Sequence, residues 1–81
     1  GRTAPVSAEP CNLHEAIRSA TAGVRAARGA QVALVEEFDP SLPPVLADRS
    51  ALEQVLINLI ANACDACESA EAPRVQIRTR Y

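Results

Sequence analysis

Between Leu13 and Arg28 the apolar positions Leu13, Ala16, Ile17, Ala20, Val24 and Ala27 recur at steps of three and four, the spacing of one helical face. Asn12 suits the N-cap, with Glu15 three residues on, the arrangement that satisfies the first free N–H groups. Arg25 and Arg28 fall in the last turn, where they complement the helix dipole, and Gly29 is a natural stop. The spacing therefore predicts a helix over 13–28 with a thin, alanine-rich apolar face. In "QVALVEEF" (31–38) the rhythm changes to alternation. Val32, Leu34 and Glu36 then point one way, and Ala33, Val35 and Glu37 the other, as in a strand. "DPSLPP" (39–44) is a rigid loop with three prolines, and "VLA" (45–47) a short strand. Asp48 is a second N-cap and a long helix is expected over 49–70. "EAP" (71–73) is a turn. "RVQIRTR" (74–80) alternates again, with Val75 and Ile77 on one face. Residues 1–10, "GRTAPVSAEP", read as an extended lead-in with an edge strand around Pro5 to Ser7. The order helix, strand, loop, short strand, long helix, strand predicts an α/β architecture with helices packed on a mixed sheet.

The long helix is unusual. Stepping about 100° per residue places Leu52, Val55, Leu56, Leu59, Ala63 and Ala66 on one stripe, the expected core face. Ile57, Ile60, Ala61 and Cys64 widen the apolar surface. Gln54, Asn58, Asn62, Asp65 and Ser69 collect in a sector about 80° wide. Surface helices usually carry a broad charged face; here the polar sector is narrow and rich in amides. Unpaired burial of such groups costs about 1–3 kcal/mol each. The stripe therefore either satisfies backbone carbonyls of a neighbouring strand or faces solvent weakly, or it faces a ligand pocket, a buried network or a partner surface.

Composition narrows the class. The 81 residues suffice for one small domain or a piece of a larger one. Aromatics make up 2% against 48% hydrophobic residues, so Leu, Ile, Val and Ala must build the core. A net charge of −2 gives no general attraction to nucleic acid or anionic membrane. No apolar run approaches the roughly 20 residues of a membrane span, and no signal peptide pattern is present. Three cysteines do not suggest a secreted disulfide framework, and a reducing, cytosolic setting fits better. The closing "VQIRTRY" is a strand-like run without a following turn, which reads as a fragment of a longer protein.

"DRSALEQVLINLIANACDA" (48–66) resembles the N-box of sensor histidine kinases. These belong to the ATPase class that includes DNA gyrase, the heat-shock ninety chaperones and the MutL proteins. The approach "PSLPPVLADRSALEQVL" (40–56) and the later "RVQIRTR" agree with it, and the "NA-x-DA" form is similar to the nitrogen-regulation type. The resemblance covers about residues 8–80. It implies a two-layer α/β sandwich, of which 11–81 would be the N-terminal portion of the ATP-binding domain. It also implies ATP and Mg²⁺ as cofactors, with Asn62 supplying an oxygen to the metal and Asn58 lining the phosphate region. Asp65 and Ala66 stand at positions that touch the nucleotide in relatives. Many sensor kinases carry a lysine and an aromatic there, so this chain departs from that version.

Asn58 carries a further implication. Gyrase-like and MutL-like relatives place a glutamate at its position as general base, and an amide cannot take a proton. That favours phosphoryl transfer to a protein side chain over hydrolysis. The resemblance implies that the acceptor is a histidine on a separate dimerisation domain, with a response regulator next, in a homodimeric, cytoplasmic or membrane-anchored protein that binds no nucleic acid. Glu53 lies about 140° from Asn58 around the helix and is not assigned the role. The glycine-rich boxes that hold adenine and cover the phosphates are absent: the three glycines, Gly1, Gly23 and Gly29, form neither D-x-G-x-G nor G-x-G. The chain alone is therefore expected to bind ATP weakly or not at all, and to be inactive.

Three features are expected to be decoys. "HEAIR" (14–18) resembles a phospho-acceptor motif but lacks its proline, and His14 is expected to be an exposed helix residue. Cys64-x-x-Cys67 lacks the second ligand pair that zinc requires, so both cysteines are expected to be small buried fillers. Arg74, Arg78 and Arg80 read as a solvated strand face. Two alternatives stand beside the kinase: a degenerate module of the same fold serving as a protein-interaction surface, and an anti-sigma-type serine kinase. The latter's motif has an acidic residue near the Asn58 position, which is lacking here.

Overall fold

The computed structural model describes residues 8–81. The edge strand expected around Pro5 to Ser7 lies outside the described residues. Six elements follow in order: β1 (Glu9–Cys11), α1 (Leu13–Arg28), β2 (Ala33–Glu37), β3 (Val45–Ala47), α2 (Arg49–Cys67) and β4 (Arg74–Arg78). Both helices begin at the expected caps. The Asn12 side chain accepts the Glu15 N–H at 3.2 Å, and Asp48 accepts the Ala51 N–H at 3.1 Å. α1 ends at Gly29, whose φ of 81° no residue with a Cβ adopts easily; its N–H returns to the Arg25 carbonyl at 2.8 Å. α2 ends at Cys67, three residues before the expected stop, with Glu68 still in right-handed helical geometry. No glycine or proline marks that end, so sequence alone locates it poorly.

The strands form two small sheets rather than one. β1 pairs antiparallel with β3, from Glu9 opposite Ala47 to Cys11 opposite Val45. β2 pairs in parallel with β4, from Ala33 opposite Arg74 to Glu37 opposite Arg78. The molecule is thus a small α/β domain with two helices over two sheets, a partial α/β sandwich. β4 pairs with β2 alone among the described residues, leaving its second edge open. β4 alternates as expected, with Val75 and Ile77 packed on the core and Gln76 and Arg78 outside. In β2 Leu34 packs on the core, but Val35, expected on the opposite face, is half-buried too, and Glu36 and Glu37 are both exposed.

The core is where α1 crosses α2. Ala20 and Val24 of α1 meet Ile60 and Cys64 of α2, with Leu56, Ile57, Val32 and Leu34 around them. The alanines let the helices approach closely; a Cβ placed on Gly23 would stand 3.9 Å from Ile57 Cδ1. Thr21, also buried, donates its hydroxyl to the Arg18 carbonyl at 2.9 Å, with a Glu36 carboxylate oxygen 3.4 Å away. Ala27, expected on this face, is exposed.

The expected core stripe of α2 is displaced. Ile60 and Cys64 are its buried residues, whereas Val55 and Leu59 are 53% and 60% exposed and Ala66 is exposed. Leu52, Leu56 and Ala63 are half-buried. The helix is apolar around most of its circumference, so periodicity alone does not say which arc faces inward. The thin face of α1 chose the arc centred on Ile60 and Cys64.

Candidate functional site

Gln54, Asn58, Asn62 and Asp65 are exposed along the outer half of α2, and Ser69, expected on the same sector, is exposed in the turn beyond its end. Val55, Leu59 and Ala66 flank them on that half, so apolar and amide positions share one open surface. Two turns are linked along the stripe, where Gln54 Nε2 donates to Asn58 Oδ1 at 3.1 Å. None of the stripe's side chains bonds a strand carbonyl among the described residues, so it is not a buried network satisfying a neighbouring strand.

The donor set bears on which metal could be held. Among the described residues no group of three or more His, Cys, Asp or Glu side chains comes together. A transition-metal cage is therefore not present in that part. Mg²⁺ is bound differently, through one or two protein oxygens with phosphate and water oxygens completing its octahedron. A single neutral amide such as Asn62 suits that role, because it adds no negative charge beside an anionic ligand. Asn62 would hold the ion only together with a phosphate ligand.

Asp65 does not stand free. The Arg28 guanidinium, at the last residue of α1, donates to Asp65 Oδ1 at 2.5 Å and to Glu68 Oε2 at 3.3 Å. The hydrogen bond to Asp65 is the main reason the Arg28 pKa is raised above its ordinary value. Arg28 also lines a cavity of about 260 Å³ with Val24, Val32, Cys64 and Glu68. Ala66 is exposed and offers no polar group. Glu53 is engaged elsewhere, accepting from Arg49 Nε at 2.5 Å.

A second cluster lies at the other end of α1. The His14 ring stacks on Phe38, centroids 4.4 Å apart and planes within 5°, and Arg18 stands 5.4 Å from the same ring. His14 Nε2 and Thr79 Oγ1 are 2.8 Å apart, and that hydroxyl oxygen accepts the Asp39 N–H at 2.9 Å. Asp39 in turn accepts from the Ser41 N–H and hydroxyl and from the Tyr81 N–H. These bonds, first that from the Ser41 hydroxyl, hold the Asp39 carboxyl below its ordinary pKa. His14 is therefore half-buried rather than exposed, fastening α1 to the ends of β2 and β4. The fastening spans 65 residues of sequence and has no local signature; a lone Phe38 near a proline loop was its only trace.

The remaining expected decoys are quiet. Cys64 is buried as expected, while Cys67 is only half-buried, with its thiol directed to the Cys64 carbonyl at 3.7 Å. Cys11 is buried and donates to the Ala47 carbonyl at 3.3 Å, inside the β1–β3 pair. On the outer face of β4, Arg78 pairs with Glu37 at 2.9 Å. That bond, with a further one from Gln76, lowers the Glu37 pKa. Arg74 and Arg80 are exposed.

No protein-family model matches the sequence. Among curated proteins, the chain is 36% identical over 81 residues to the sensory histidine kinase/phosphatase NtrB of Rhodobacter capsulatus, covering 100% of this chain and 22% of that protein. It is 36% identical over 77 residues to NtrB of Rhizobium meliloti, covering 95% of this chain and 20% of the relative. A shorter stretch of 49 residues, 60% of this chain and 14% of the relative, is 43% identical to NtrB of Klebsiella oxytoca. The chain thus spans about a fifth of the length of the first two of these relatives. Matches running through the whole of it support a segment of a sensor histidine kinase.

Proposed function

We propose, from this likeness to sensory histidine kinases, that the chain is the N-terminal portion of the ATP-binding catalytic domain of a two-component sensor kinase. Residues 11–81 would form one wall of the nucleotide site, with the D-x-G-x-G and G-x-G boxes supplied by sequence outside the 81 residues. The observation that carries the reading is the exposed stripe of α2, where Asn58 and Asn62 stand one turn apart with no carboxylate between them. Asn62 would offer its amide oxygen to Mg²⁺, and Asn58 would line the phosphate region. The metal, bound with ATP, neutralises charge on the phosphates during transfer. Asn58 cannot abstract a proton from water, which disfavours hydrolysis and leaves the γ-phosphoryl group for a protein acceptor.

That acceptor would be a histidine on the kinase's own dimerisation domain, in a homodimer, with a response regulator receiving the group next. His14 is unsuited to it, being half-buried against Phe38 and bonded to Thr79. The open edge of β4 and the exposed apolar arc of Val55, Leu59 and Ala66 support the view that more of the domain packs here. Among the described residues no helix is long and apolar enough to cross a membrane, and a cytoplasmic site of action fits ATP as the phosphoryl donor. The 81 residues alone would bind nucleotide weakly and be inactive.

The test is a titration of the full-length kinase with a fluorescent ATP analogue at fixed Mg²⁺. Asn62→Ala is expected to weaken Mg²⁺-dependent binding at least tenfold while leaving the thermal midpoint of the nucleotide-free protein within about 2 °C, since the side chain is exposed. Equal affinity for the variant and the wild type would overturn the assignment.

A further inference from the structure

An aspartate on a stripe that faces a triphosphate is a problem, because like charges at close range repel. Asp65 is one turn beyond Asn62 and two turns beyond Asn58 on α2, so its carboxylate belongs to the same surface. We propose that Arg28 is the positioning residue that makes Asp65 compatible with an anionic nucleotide, neutralising the carboxylate and drawing it away from the metal-binding amide. The inference rests on the nucleotide-site reading above.

Three observations support it. Arg28 reaches Asp65 at 2.5 Å and Glu68 at 3.3 Å from a single guanidinium nitrogen. No other described cation pairs with Asp65. Arg28 is the last residue of α1, fixed there by the turn at Gly29 with φ of 81°, and its side chain is 31% exposed against 57% and 63% for its two partners. Arg28 is therefore the most covered member of the trio, and it lines the cavity that Cys64 and Val24 also line. Direction follows from the helix geometry. Stepping about 100° per residue, Asn62 lies about 60° to one side of Asp65, and Glu68 and Ile57 lie about 60–80° to the other. The Ile57 side is where α1 runs, as the approach of Gly23 shows. Arg28 thus pulls the Asp65 carboxylate toward α1 and away from Asn62.

The experiment compares Arg28→Gln, Arg28→Lys, Asp65→Asn and the double variant Arg28→Gln/Asp65→Asn in the full-length kinase, by the same nucleotide titration at 50 mM and 500 mM salt. Arg28→Gln is expected to weaken Mg-nucleotide binding about tenfold at low salt and two- to threefold at high salt, since surface charge effects are screened. Arg28→Lys keeps the charge and should bind within threefold of wild type. Asp65→Asn should bind two- to threefold more tightly, and the double variant should recover wild-type affinity. Unchanged affinity in Arg28→Gln overturns the inference, as does a double variant as weak as Arg28→Gln, which would make the arginine a direct phosphate ligand or a packing residue. If Arg28→Gln does not fold, weaker binding by Asp65→Asn overturns it instead. Asn62→Ala in parallel separates the two readings. Loss there with Arg28→Gln intact sinks only the inference; no loss there removes the nucleotide site itself.

Discussion

Replacing Ile60 and Leu59 by alanine, one at a time, tests the orientation of α2 directly, because the two residues are sequence neighbours on opposite sides of the burial boundary. Ile60 is 5% exposed and packs on Ala20, Val24 and Cys64, while Leu59 is 60% exposed. Full burial of an isoleucine or leucine side chain stabilises by about 1.5–3 kcal/mol, and an unfilled cavity adds to the loss, so such truncations cost about 2–5 kcal/mol in a closed core. Ile60→Ala should therefore cost about 3 kcal/mol. Leu59 keeps less than half of its surface covered, and Leu59→Ala should cost at most about 1 kcal/mol. The assay is urea denaturation of the 81-residue chain, followed by helical circular dichroism. With an m-value near 1 kcal/mol/M for so small a protein, Leu59→Ala should move the midpoint by less than about 1 M. Ile60→Ala should move it by about 3 M or abolish the cooperative transition, because small domains have little stability to lose. A Leu59→Ala loss equal to or larger than that of Ile60→Ala would refute the packing. It would mean that α2 is rolled by about one residue step, 100°, with Val55 and Ala66 inside.

Two further outcomes follow from the His14 cluster. Thr79→Val removes the oxygen shared by His14 Nε2 and the Asp39 N–H, and should cost about 1–2 kcal/mol in the same urea assay; an unchanged midpoint would show that the fastening contributes nothing. The Asp39 carboxyl has a folded-state pKa below its ordinary 3.8, so its contribution to stability is present above the unfolded-state pKa and is lost as pH falls through the lower folded value. Ser41→Ala removes the main cause of that shift, and carbon-detected NMR titration should then find the Asp39 midpoint moved upward; an unmoved midpoint would refute the Asp39–Ser41 bond.

Much of the local structure was readable because it depends on local chemistry. Asn12 and Asp48 cap because each places an oxygen over N–H groups three residues on. Gly29 stops α1 because the turn needs a positive φ. Alternation in 74–78 separates Val75 and Ile77 from Gln76 and Arg78 because a strand's period is two. The gathering of Gln54, Asn58, Asn62 and Asp65 on one sector likewise needs only the helical step, and their exposure agrees with it; Ser69 falls past the helix end.

Tertiary structure decided what periodicity leaves degenerate. Outside its narrow polar sector α2 is apolar over a wide arc, and which part of that arc faces inward is open until α1 and the β2–β4 pair are in place. They put Ile60 and Cys64 inside and left Val55 and Leu59 out. The pairing of strands into two sheets, β1 with β3 and β2 with β4, depends on contacts between segments more than 30 residues apart, which no local pattern encodes. The same holds for Arg28 with Asp65 and for His14 with Thr79, separated by 37 and 65 residues. The sequence by itself determined which residues can cap, turn, alternate and present amides. Which of them meet depends on the packing of two helices whose shared face is only as wide as an alanine row.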